Sequence, residues 1–205
     1  MRVLITAGPT REKIDPVRFI TNYSSGKMGY AIAQAAVEAG NEVVLISGPV
    51  NLKCPEGVKE FYSVESAAQM ADKVFEIFSS CDAAIMVAAV ADYRPAEICS
   101  SKMKKGDGDL FLRLERTTDI LAGLGKRKTE KQKLIGFAAE TDDLLANAQG
   151  KLERKNLDWI AANKVSDGFG SETNKVILLS RSGERIDLTT SDKLTVAREI
   201  IKTVL

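Results

Sequence analysis

Apolar positions along the chain recur with two periods, and the alternation of those periods predicts most of the fold. Residues 2–6 form a short β-branched run, read as a strand, and Ala7-Gly8-Pro9-Thr10-Arg11 turns out of it. Residues 12–21 are too polar and proline-interrupted for a regular helix and are expected to be loop. Beyond Lys27 the period changes. Met28, Ile32, Ala35 and Ala39 recur at helical spacing, and Gly29, Ala33, Ala36 and Gly40 make a second stripe of small residues that lets a helix lie close to a sheet. Residues 42–47 and 58–62 are expected to be the second and third strands. Ala67, Met70, Ala71, Val74, Ile77 and Phe78 form one helical face. Residues 83–91 are continuously apolar between Asp82 and Asp92, the pattern of a strand buried on both faces, with Asp92 at its carboxyl end.

The later part of the chain keeps this alternation and then breaks it. Lys102-Met103-Lys104-Lys105 reads as a solvated turn. Leu110, Leu112 and Leu114 alternate with Phe111, Arg113 and Glu115, predicting a half-buried strand, a hairpin arm that can serve as a dimer surface. Thr117-Thr118-Asp119 can cap a helix running to about residue 126, and residues 134–139 read as a buried strand. Glu140-Thr141-Asp142-Asp143 is expected to open a helix with its carboxylates at the positive end, with Leu144, Leu145 and Ala148 on its apolar face and Lys151, Arg154 and Lys155 in its last turn. Residues 157–162 form another core strand, stopped at Asn163, and Gly168-Phe169-Gly170 is loop. Residues 176–179 and 185–188 make a hairpin around Ser182-Gly183, and Ser191 is expected to cap a final helix. Strands alternating with helices indicate a Rossmann-like, doubly wound α/β fold. Its sheet is mostly parallel, with a late antiparallel hairpin, in one domain over residues 1–205.

Composition narrows the chemistry. Among 205 residues, 29 basic and 28 acidic side chains leave a net charge of +1, so nothing favours nucleic-acid or membrane binding. The longest apolar run is too short to span a bilayer and the chain opens directly into a strand, so the expected location is cytoplasmic. Three cysteines without C-x-x-C spacing fit reduced thiols. The absence of histidine excludes histidine general bases, Ser-His-Asp triads and the usual transition-metal sites. Catalysis would have to rest on lysine, asparagine, aspartate, backbone groups or a hard metal ion.

The stretch Asn22-Tyr23-Ser24-Ser25-Gly26-Lys27-Met28-Gly29 opens the first long helix and is expected to hold the phosphates of a nucleotide. Ser24 or Ser25 can cap the helix, Gly26 allows close approach to the backbone, and Lys27 adds charge. It is neither a dinucleotide G-x-G-x-x-G nor a Walker A loop, because Met28 stands where serine or threonine would hold magnesium. Gly8 and Thr10 at the end of the first strand, and Ala88 and Ala89 near the end of the apolar run, are further candidate nucleotide contacts. A short-chain reductase would need Tyr-x-x-x-Lys, and only Tyr23 with Lys27 nominally matches. A non-catalytic nucleotide-binding domain is the other alternative.

Four strings occur in order: I-T-N-Y-S-S-G-K-M-G at 20–29, A-A-V-A-D-Y-R-P at 88–95, K-M-K-K at 102–105 and G-F-A-A-E-T at 136–141, followed by L-D-W-I-A-A-N at 157–163. Together they resemble the bacterial phosphopantothenoylcysteine synthetase family over essentially the full length. The resemblance implies a magnesium-dependent ligase that uses CTP as co-substrate to activate 4′-phosphopantothenate and joins it to cysteine, as a homodimer. It also implies a flavin-dependent decarboxylase as a fused or separate partner. It assigns Asn22 to handling the acyl-cytidylate and Lys102 to forming it. It places Asp92, Thr118, Asp119, Ile120, Leu121, Phe137, Lys151 and Lys155 at the nucleotide, and leaves the metal ligands unassigned. Many relatives read N-P-D-I where this chain has Thr117-Thr118-Asp119-Ile120.

Overall fold

A computed structural model describes the chain except Asp107, Phe169 and Gly170, so the loop expected at Phe169-Gly170 lies outside the described residues. Its centre is an eight-stranded sheet. The strands in chain order are β1 (Arg2–Ala7), β2 (Glu42–Ser47), β3 (Glu60–Ser63), β4 (Ala83–Met86), β5 (Lys133–Glu140), β6 (Trp159–Lys164), β7 (Ile177–Ser180) and β8 (Arg185–Asp187). Their order across the sheet is β3-β2-β1-β4-β5-β6-β7-β8. The first six are parallel, with Val3 beside both Val43 and Ala83, and β7 and β8 add antiparallel at one edge. The sheet grows in one direction from β1 to β3 and in the other from β4 to β6. The reversal falls between β1 and β4, and the crevice of such a switch point lies beyond the carboxyl ends of the strands.

Side chains alternate along the strands and so build two cores. Leu4, Val44, Ala84 and Leu134 face helices α2 (Ala67–Ile77), α3 (Ile120–Arg127) and α4 (Leu144–Arg154). Val3, Ile5, Val43, Ile85 and Ile135 face α1 (Lys27–Glu38) and α5 (Lys193–Val204). The small-residue stripe of α1 does what its composition implies. A Cβ on Gly29 would lie 2.6 Å from Ala7 Cβ, so the helix seats directly on β1. Gly29→Val is expected to destabilise the fold by about 3 kcal/mol through overpacking, read as a lowered urea midpoint. An unchanged midpoint would refute this packing.

Several expected boundaries move, each for a local reason. The run 83–91 is not one strand: β4 ends at Met86. Beyond it the Thr6 hydroxyl accepts hydrogen bonds from the N–H groups of Val87 and Ala88, each at 3.2 Å, and Thr10 Oγ1 accepts from Ala91 N–H at 3.0 Å. These hydroxyls take over from a strand partner and turn the chain out of the ladder. The third strand starts at Glu60 rather than 58. Residues 12–21 form no helix but contribute to a small hairpin, Arg11–Lys13 with Phe19–Thr21. Only Leu114–Arg116 of the alternating leucine segment is strand, paired antiparallel with Tyr93–Pro95, and Leu110, Leu112 and Leu114 are exposed instead of buried on one face. Asp143 is the N-cap of α4, at φ 47° with no side-chain cap bond, and Glu140 belongs to β5, so of the expected acidic start only Asp142 and Asp143 stand at the helix end and none lies in its first turn. The last helix is capped by Asp192, not Ser191, which instead pairs with Asn174. All three cysteines are free.

Candidate active site

Along the crevice at the β1/β4 reversal the two loops are tied to each other by backbone bonds. Ala89 N–H donates to Gly8 O at 2.9 Å and Thr10 N–H to Ala89 O at 3.3 Å. Helix α1 begins beside it. Its N-cap is Gly26 at φ 78°, and no side chain caps it, which corrects the expectation that Ser24 or Ser25 would. Ser24 Oγ accepts from Gly26 N–H at 3.3 Å, one step too early to satisfy the helix. The left-handed turn at Gly26 therefore delivers the chain into α1 with uncapped N–H groups in its first turn and no acidic residue there.

Two adjoining cavities open at this crest. The first, about 270 Å³, is lined by Ser24, Ser25, Gly26, Lys27, Ala88 and Ala89 together with Asn163, Asn174 and Lys193. The second, about 380 Å³, is lined by Thr117 to Leu121 at the start of α3, with Tyr93, Arg116 and Lys155. Ala88, Val90, Asp92, Phe137 and Lys151 line both. Most of the nucleotide contacts expected from sequence are thus brought together, but in two compartments with a common wall.

Lysines dominate the electrostatics. Lys151 reaches from the last turn of α4 and donates to Phe137 O at 2.7 Å; burial, reinforced by Lys155, lowers its pKa. Lys155 pairs with Asp119 at 2.9 Å. Burial alone would raise the Asp119 carboxyl, but the Ala122 N–H it caps and the Lys155 ammonium hold it below the ordinary carboxylate value. In the wall of the first cavity Lys193 is only 8% exposed and donates to Ser171 O at 2.5 Å. Burial lowers its pKa, and the charge of Lys27 adds to the effect. Lys27 itself pairs with Glu172.

Lys193 and Asn174 were not found by sequence reasoning, and Asn163 was read only as the end of a strand. One signal pointed to Lys193: a lysine at the first position of a helix opposes the dipole, and such a residue needs another reason to be there. Nothing local points to Asn174, which is 2% exposed on the short strand Thr173–Asn174.

Four expected site residues line neither cavity. Gly8 stands behind the wall, and Thr10 is fully buried with its hydroxyl committed to Ala91. Asn22 is exposed, and its side-chain amide donates to Ala89 O at 3.1 Å and Val90 O at 3.3 Å, bracing the wall of the first cavity. Lys102 is exposed on residues 96–113, the loop joining the strands Tyr93–Pro95 and Leu114–Arg116. Tyr23, the tyrosine a reductase would use, is 98% exposed and turned away from any pocket. Among the described residues no group of three histidine, cysteine, aspartate or glutamate side chains is placed to cage a metal, and Asp92 is the acidic residue lining both cavities. No helix among the described residues is long and apolar enough to cross a membrane.

Comparison with known proteins agrees with this geometry. The family model for the DNA/pantothenate metabolism flavoprotein C-terminal domain matches residues 1–205. The coenzyme A biosynthesis bifunctional protein CoaBC of Bacillus subtilis is 51% identical over 205 residues, covering 98% of this chain and 50% of that protein. The chain therefore spans about half the length of the curated relatives it matches. A crystal structure of the C-terminal domain of CoaBC superposes with a TM-score of 0.85 at 48% identity, covering 99% of this chain and 93% of that one. A Cab2 mutant in complex with phosphopantothenate-cysteine shares the fold, with a TM-score of 0.80 at 19% identity over 99% of this chain and 84% of that chain. The motif strings, the strand order and these relatives converge, and the chain belongs to the DNA/pantothenate metabolism flavoprotein C-terminal domain family.

Proposed function

We propose that residues 1–205 form one phosphopantothenate–cysteine ligase domain of coenzyme A biosynthesis. The observation that carries this reading is the pair of lysine-lined cavities sharing Asp92 and Lys151, a layout suited to two phosphate-bearing substrates that react where they meet. CTP occupies the second cavity, with its base bordered by Phe137 and the backbone of Thr118 to Leu121 and its phosphates near Lys151 and Lys155. 4′-Phosphopantothenate enters the first, its phosphate against the start of α1, Lys27 and Lys193. This division narrows the wider nucleotide assignment made from sequence.

The carboxylate oxygen of phosphopantothenate attacks the α-phosphorus of CTP, and the bond to pyrophosphate breaks. The amine of cysteine then attacks the acyl carbon, forming the amide and releasing CMP. A carboxylate is already a nucleophile, so no histidine is required; what the site supplies is alignment and cancellation of phosphate charge. The donor set fits a magnesium ion carried by the nucleotide rather than one caged by protein, with Asp92 as the carboxylate that would hold it. Bound there, magnesium would neutralise charge on the triphosphate.

Exposed Tyr93, Leu110, Phe111, Leu112 and Leu114 lie on one hairpin and its connecting loop and supply the surface for a homodimer. A flavin-dependent phosphopantothenoylcysteine decarboxylase, fused or separate, is the partner that would consume the product. The expected setting is the cytoplasm. The test is incubation of purified protein with 4′-phosphopantothenate, cysteine, magnesium and either CTP or ATP, with mass spectrometry of the products. Phosphopantothenoylcysteine and CMP are expected with CTP. Product with ATP alone would correct the nucleotide, and no product with either would favour a non-catalytic nucleotide-binding domain.

A further inference from the structure

Residues 96–113 carry Lys102 and contain no helix or strand among the described residues, yet they are tied to the body of the protein through the hairpin at residues 11–21. Cys99 N–H donates to Ile14 O at 3.0 Å. Met103 N–H donates to Asp15 Oδ2 at 3.1 Å, and Met103 O accepts from Arg18 Nη2 at 2.9 Å. Met103, the residue next to Lys102, is therefore held at both its N–H and its C=O.

The holding group is a buried carboxylate. Asp15 is 2% exposed, and its Oδ1 accepts from Val17 N–H and Arg18 N–H, each at 2.8 Å. Its Oδ2 takes Arg18 Nε at 3.0 Å and Nη2 at 2.5 Å, besides Met103 N–H. The Arg18 guanidinium, ahead of the backbone donors, holds this carboxyl far below the usual carboxylate range. Closing the turn at 15–18 requires only the two local N–H bonds. The bonds to Met103 reach across 88 and 85 residues and add nothing to the turn. The same hairpin runs through Thr21 into Asn22, so it meets the Lys102 segment at its tip and the wall of the first cavity at its exit.

We propose that Asp15, with the Arg18 it orients, is a positioning residue for Lys102: by fixing the Met103 peptide it sets where the Lys102 ammonium stands relative to the cavities and to Asn22. This rests on the assignment of Lys102 to the activation step. Asp15→Asn is expected to lower the rate of phosphopantothenate-dependent pyrophosphate release from CTP by about tenfold or more. KM for CTP should change much less than kcat, and in a Lys102→Ala background the same substitution should add almost nothing, because both changes act through one group. Wild-type protein gives a check independent of any variant: the Met103 amide should exchange with deuterium more slowly than those of Lys104 and Lys105. A wild-type rate in Asp15→Asn, losses that multiply in the double variant, or an unprotected Met103 amide would each overturn the inference. A fully active Lys102→Ala protein would instead remove the reading of Lys102 on which it stands.

Discussion

Lys102→Ala is expected to reduce pyrophosphate release from CTP by about 10²- to 10³-fold while leaving the fold intact. The side chain is exposed and outside both cavities, so truncation removes no packing, and the unfolding midpoint should stay within about 0.5 kcal/mol of wild type. The loss comes from charge. A triphosphate under attack at its α-phosphorus accumulates negative charge toward pyrophosphate, and a lysine swung over the shared wall can neutralise it without disturbing Lys151 or Lys155, which are already engaged with Phe137 O and Asp119. Single-turnover pyrophosphate release together with thermal unfolding separates this outcome from misfolding. Undiminished release would show that activation does not use Lys102.

Asn22→Ala is expected to act one step later. Pyrophosphate release should continue for about one turnover per site, the acyl-cytidylate should accumulate to mass-spectrometric detection, and phosphopantothenoylcysteine formation should fall by about 10²-fold or more. The Asn22 amide now braces Ala89 O and Val90 O, so alanine also costs about 1 kcal/mol of local stability. CTP affinity is expected to survive, because the second cavity contains neither Asn22 nor Ala89. Equal loss of CTP affinity in the Asn22 and Lys102 variants would sink the division of labour between them.

Much of this architecture was legible in residue periods. The β-branched runs at Arg2–Ala7 and Glu42–Ser47, the helical spacing from Met28 and the late hairpin around Ser182-Gly183 all appear where expected. Errors arose where hydrogen bonding and apolar character part company. Val87 to Ala91 remain apolar, but the hydroxyls of Thr6 and Thr10 receive their N–H groups, and apolar periodicity does not register a hydroxyl on another strand. Leu110 to Leu114 alternate as a strand does, yet they stay exposed and only Leu114 finds a strand partner. Caps were displaced by one or two residues: α1 starts at the left-handed turn of Gly26 with no side-chain cap, and at the last helix the Asp192 carboxylate takes the place expected of Ser191. At the site, the glycine-rich helix start and the Asp119 cap were recoverable from local spacing. Lys193, Asn174 and the Asp15–Met103 bond were not, since each joins stretches that only the folded sheet brings together.

The placement of β1 also bears on how the chain folds. Its neighbours are residues 42–47 on one side and 83–86 on the other, so the central strand keeps an open edge until nearly half the sequence is available to close it. Pairings of such separation are slow to form, because loop closure must precede any return in contact energy. The bonds from Ala89 to Gly8 and from Ala91 to Thr10 cross that same seam. Closing the sheet at β1 and shaping the crevice therefore depend on the same pairing: until β4 docks beside β1, the glycine-rich helix start lacks the part of the wall built by Val87 to Val90.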